Sequence, residues 1–224
     1  MALPASALDV HGLADTIAAS LLARNTVSRT TAILADVASS IRAKARTDEQ
    51  LREDAAAGTS PAIAEAAVRM RERLARGGAV ITFGNGGSAT DANDFAIDCA
   101  APAKPHAPIK AISLSMAPAN ISAIANDIGR DAIFLRQLIP HGKPGDIAMA
   151  ISTSGGSSNV IAALGEARKR GMLTVALLGY NGGEIARRGL ADVAIVVNCD
   201  YIPRIQEIQA SIYHTLIDAL AGSV

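Results

Sequence analysis

From Ala79 onward, short apolar runs bounded by Gly, Pro or polar residues alternate with stretches of helical periodicity. That alternation is the pattern of βαβ units and restricts the fold to α/β architectures built on a parallel sheet. Five runs qualify as strands: Ala79 to Phe83, Lys110 to Leu114, Asp146 to Ile151, Thr174 to Leu178 and Val193 to Val197. With helices between them, they predict a doubly wound, five-stranded parallel sheet of flavodoxin-like type, whose ligand site lies beyond the carboxyl ends of the strands. A last helix is expected from about Pro203 to Ala221.

The first third reads differently. Leu13, Ile17 and Leu21, then Ile33, Leu34, Val37 and Ile41, recur at helical spacing, which predicts two helical stretches or one long bent helix. Gly58-Thr59-Ser60-Pro61 reads as a new helix start, with Ser60 as cap and Pro61 in the first turn, and Gly77-Gly78 as its end. The expected organisation is therefore a helical assembly segment over 1–60, followed by one ligand-binding domain over 61–224.

Composition excludes several partners. Twenty-one basic residues balance twenty-one acidic ones, which disfavours nucleic acid, since a polyanion is bound by clustered positive charge. No apolar run approaches the roughly 18 residues of a membrane span, and Met1 to Ala5 shows no basic-then-apolar leader. No membrane association and a cytoplasmic location are expected. Cys99 and Cys199 lack metal-motif spacing and read as small buried apolar residues in a reducing compartment.

Two loops carry the chemistry. The first strand runs into Gly84-Asn85-Gly86-Gly87-Ser88 and then a helix. Glycines there let the backbone approach a ligand, and the helix start offers free N–H groups to an anion. The third strand runs into Ser152-Thr153-Ser154-Gly155-Gly156-Ser157-Ser158-Asn159, again before a helix. One helix cap needs one hydroxyl; five hydroxyls at a helix start can surround a phosphate without Lys or Arg. Neither loop ends in the Gly-Lys-Ser/Thr of a P-loop or continues as Gly-x-Gly-x-x-Gly, so neither a nucleoside triphosphate nor NAD is expected.

Polar residues on two helices complete the constellation. Asp91, Asp94 and Asp98 follow the first loop, with Asp94 and Asp98 one turn apart on one face. Gln206 and His214 lie a little over two turns apart on the last helix. If that helix lies across the sheet edge or reaches into a neighbouring subunit, these groups can converge. Such a set can bind a divalent metal or move protons. His11, His106 and His141 receive no role.

Gly84 to Ser88, Ala125-Asn126-Asp127, Ser152-Thr153-Ser154-Gly155-x-Ser157 and Arg204-Ile205-Gln206-Glu207 resemble, in order and spacing, the phosphoheptose isomerases of the SIS superfamily. The resemblance covers about Ala62 to the C-terminus. It implies a SIS fold, a homotetramer with packed N-terminal helices, and a phosphorylated sugar as ligand. Residue by residue, it implies sugar contacts from Asn85, Gly86, Gly87, Ser88, Asn126, Asp127 and Gln206, and phosphate contacts from Ser152, Thr153, Ser154 and Ser157. The family carries a His and a Glu where this chain has Asp94 and Asp98; Gln206 and His214 match. The implied metal ligands are thus Asp94, Asp98, Gln206 and His214, with a divalent ion such as zinc, although an oxygen ligand in place of imidazole shifts preference toward oxygen-liking ions.

The activity implied is aldose–ketose isomerisation of sedoheptulose 7-phosphate to D-glycero-D-manno-heptose 7-phosphate through an enediol, with Asp98 and His214 catalytic. The alternative is a non-catalytic SIS protein, a tetrameric adaptor of the replication initiator or a sugar-phosphate sensor. Survival of His214 and of the hydroxyl-rich loop favours the enzyme.

Overall fold

The computed structural model describes residues 10–102 and 106–222; the segment read for a leader lies outside them, as do the side chains of His11 and Leu13. The chain divides into two compact units at Glu49/Gln50. Helix α1 runs Val10–Ala75. Within the first unit its described large apolar side chains, Ile33, Leu34, Val37 and Ile41 among them, are exposed.

The expected helix start at Ser60 is corrected: Pro61 lies inside α1. The hydroxyls of Thr59 and Ser60 donate to the carbonyls of Ala55 and Ala56 one turn back instead of capping a new helix. Leu51 and Ala55 before Pro61, and Ala62 and Ile63 after it, all pack against the same core. That shared burial outweighs the missing N–H and ring clash of an interior proline, about 3 kcal/mol.

The second unit contains a parallel sheet of β1 (Val80–Gly84), β2 (Ala111–Ser113), β3 (Ile147–Ser152), β4 (Leu173–Leu178) and β5 (Val193–Val196) in the order β2-β1-β3-β4-β5. β1, β3 and β4 are buried at every position. This is the environment that continuous apolar runs specify.

Two cores flank the sheet. On one face α2 (Gly87–Ala100), α7 (Ile202–Ala221) and the C-terminal part of α1 pack through Met70, Phe95, Ile205, Ile212 and Tyr213. On the other face lie α3 (Pro118–Asp127), a short 3-10 turn (Arg130–Ala132), α4 (Ile133–His141), α5 (Ser158–Lys169) and α6 (Gly183–Arg187), packed through Phe83, Phe134, Leu138 and Leu164. Cys99 belongs to the first core, and burial followed by the nearby Asp98 pushes its thiol up to about 12. It is a packing residue; Cys199 is half-buried. No described helix is long and apolar enough to cross a membrane.

Candidate functional site

The sheet reverses its winding between β1 and β3, the place where a doubly wound fold opens a crevice at the strands' carboxyl ends. Both motif loops leave the sheet there. Gly84 ends β1 where a Cβ would meet the carbonyl oxygens of Ser88 at 2.5 Å and Ile151 at 2.7 Å. Only glycine permits so close an approach of the two loops. The side chains of Asn85 and Asn159 then exchange two hydrogen bonds, of 2.8 and 2.9 Å, tying the loop after β1 to the start of α5.

Beside this amide pair lies a cavity of ≈ 390 Å³ lined by Asn85, Arg130, Ile133, Gly156, Ser157, Ser158 and Asn159. Ser157 occupies the cap position of α5 without making a capping hydrogen bond. Of the first-turn N–H groups, that of Val160 donates to Asn159 Oδ1 at 2.9 Å, and those of Ser158 and Asn159 are the ones that can meet an anion.

The hydroxyls divide into two groups. Ser152 is buried and its Oγ accepts the Gly155 N–H at 3.1 Å, while Ser154 Oγ accepts the Gly156 N–H at 3.2 Å. These two shape the loop. Ser157 and Ser158 face the cavity, where Ser158 donates to Asp131. Thr153 is half-buried and Ser88 buried. Asn126 and Asp127 are exposed at the end of α3 and bond to each other at 2.8 Å; neither lines this cavity.

Parallel packing of α2 and α7 sets the second half of the site. Gln206 lies over Gly87 so closely that a Cβ there would sit 1.9 Å from its Nε2. Further along, Phe95 meets Tyr213 edge-on with ring centroids 6.3 Å apart. Beyond it His214 Nε2 stands 3.5 Å from Asp98 Oδ2. Asp98 and His214 line a separate cavity of ≈ 300 Å³ together with His106 and Asp218. Another hollow, of ≈ 600 Å³, lies between α1 and the loops after β4 and β5. It holds neither the loop hydroxyls nor the acid–imidazole pair.

Asp94, Asp98 and His214 do not form a metal-sized cluster: among the described residues no three His, Cys, Asp or Glu side chains gather to hold an ion. Gln206 and His214 are separated by roughly 12 Å of helix axis. This donor arrangement within one chain does not fit a metal centre.

Asp91 occupies the same α2–α7 seam. Burial, and secondly the Asp94 carboxylate, raises its carboxyl from 3.8 to about 6, and its Oδ2 is buried without a hydrogen-bond partner. A carboxyl with a raised native pKa holds its proton more tightly in the folded state, so stability falls as pH climbs from about 4 through about 6. Asp91→Asn is expected to raise stability at pH 7 by about 1 kcal/mol, solvent screening reducing the full effect. Melting temperatures across that window check this, since the variant should lose the decline shown by the wild type.

Sequence reading missed Arg130, Asp131 and the amide partner Asn159 as a group. Arg130 and Asp131 sit in a connector between α3 and α4 with no local motif, and only the packing of α4 and the 3-10 turn on α5 brings them to the serine loop.

A parallel sheet in 2-1-3-4-5 order, with a hydroxyl-lined cavity at its switch point, makes this a doubly wound, flavodoxin-like ligand-binding domain. The SIS domain family matches residues 45–179. The phosphoheptose isomerase of Rhodospirillum rubrum is 40% identical over 158 residues, which are 70% of this chain and 83% of that protein. The solved phosphoheptose isomerases of Neisseria gonorrhoeae and Francisella tularensis superpose with TM-scores of 0.76 and 0.77 at 32% and 33% identity. They cover 82% and 81% of this chain and 97% and 96% of theirs. The chain belongs to the phosphoheptose isomerase family.

Proposed function

We propose that this chain isomerises sedoheptulose 7-phosphate to D-glycero-D-manno-heptose 7-phosphate, with the phosphate at the α5 start and proton transfer by Asp98 and His214. The observation that carries the reading is the 3.5 Å approach of His214 Nε2 to Asp98 Oδ2 beside a cavity. Asp98 takes a proton from C1 while His214 gives one to the C2 oxygen, forming the enediol. His214 then takes the proton of the C1 hydroxyl as Asp98 returns its proton to C2, and the aldose results. The cycle returns both side chains to their starting protonation states. Conversion of the ketose, followed by the appearance of the aldose C1 proton signal in NMR, tests the reading; no conversion would overturn it.

The complete site is proposed to be shared between copies. The acid–imidazole pair lines a cavity that shares no residue with the one at the α5 start, and Asp98 lies three turns beyond Gly87, roughly 16 Å along α2, more than the roughly 10 Å from carbonyl to phosphorus of a seven-carbon phosphate. One chain therefore supplies the loops and another the acid–imidazole pair. A homotetramer, gathered through the exposed apolar residues of α1, meets this need. Burying each such side chain is worth about 1.5–3 kcal/mol, so the pair Leu34→Glu and Ile41→Glu is expected to yield smaller species in light scattering. An unchanged mass would remove α1 from the interface.

A further inference from the structure

We infer that Arg130 is the charge-selecting residue of the phosphate cavity, a role that rests on the sugar-phosphate reading of this site. Among the described residues lining that cavity Arg130 is the only cation, and every other polar lining group is a neutral amide or hydroxyl. Neutral donors hold a phosphate but do not distinguish a dianion from an uncharged hydroxyl-bearing group by charge. The rim moreover carries a carboxylate: Asp131 accepts a hydrogen bond from Ser158 at the mouth of α5. Left unbalanced, it repels the anion that the helix start attracts.

Arg130 is placed to reverse that sign. It opens the 3-10 turn directly after Gly129, whose φ of 126° turns the chain toward the cavity. Its side chain is 83% exposed, and its Nε approaches Asp131 only at 4.0 Å. Asp131 is thus engaged chiefly by Ser158, and the guanidinium fork remains able to meet two phosphate oxygens at once. Because the group is solvated, its attraction is screened by salt. Arg130 acts on affinity and leaves the proton-transfer steps to Asp98 and His214.

The test is steady-state kinetics of Arg130→Met and Arg130→Lys with the sugar phosphate, together with direct binding of inorganic phosphate to each protein at two salt concentrations. Arg130→Met should raise KM and the phosphate dissociation constant about tenfold, leave kcat within about twofold, and flatten the salt dependence. Arg130→Lys should recover most of the affinity. Unchanged phosphate affinity and salt dependence in Arg130→Met would overturn the assignment, as would a fall in kcat with KM unaltered. If no sugar phosphate is turned over by the wild type, the isomerase reading fails on its own, and phosphate binding still decides the role of Arg130.

Discussion

Asp98→Asn and His214→Ala are each expected to lower kcat by about 10²–10⁴, the usual worth of a positioned proton-transfer group. Their pairing across 3.5 Å makes the two losses overlap, because a base without its partner has already lost the concerted transfer. The double variant should therefore be scarcely worse than the poorer single one. Stability should barely move, since the two side chains are 46% and 58% exposed and surface substitutions usually stay within about 0.5 kcal/mol. Unchanged turnover in either single variant would remove that residue from the mechanism. A shared site adds a sharper outcome. Subunits carrying Asp98→Asn, mixed with subunits carrying Ser157→Ala, should regain activity, because some sites then combine an intact loop with an intact pair. Failure to complement would place both halves in one chain.

β1, β3 and β4 were readable because a strand covered on both faces is apolar at nearly every position. Each of the five predicted runs lies within a residue or two of the observed strand. Pro61 was misread for the converse reason. Its local preference for a helix start is real, but Leu51, Ala55, Ala62 and Ile63 gain burial only if the helix continues through it. The glycine and serine loops announced themselves by composition, yet their division of labour did not. Whether Ser152 or Ser157 faces the cavity depends on which N–H the loop folds toward, and sequence spacing carries no such information. Arg130 was invisible for a related reason. A single arginine in a connector acquires meaning only when α4 packs on α5 and places the turn beside the serine loop.

Gly155→Ala is expected to be the most damaging single substitution in the phosphate loop, and Gly156→Ala a harmless one. Gly155 has φ +59°, and a Cβ there would stand 2.1 Å from the Gly182 carbonyl oxygen. Its neighbour across the contact, Gly183, has φ +56° and would bring a Cβ to 2.1 Å from the Ser154 carbonyl oxygen. The loops after β3 and β4 are thus interlocked backbone to backbone, with the Ile185 N–H donating to the Gly155 carbonyl at 2.9 Å. No rotamer can relieve such a clash, so one loop must move. The left-handed backbone adds about 1–2 kcal/mol and the forced displacement a further 1–3. A loss of roughly 3 kcal/mol should lower the melting temperature by about 6–12 °C in a protein of this size. At Gly156 the nearest atoms to a new Cβ are 3.9 Å away and φ is not positive, so Gly156→Ala should melt within about 2 °C of the wild type. Equal melting of the two variants would show that the loop yields at Gly155. A yielding loop could not hold the α5 start, Ser157 and Arg130 in the fixed geometry that a phosphate requires.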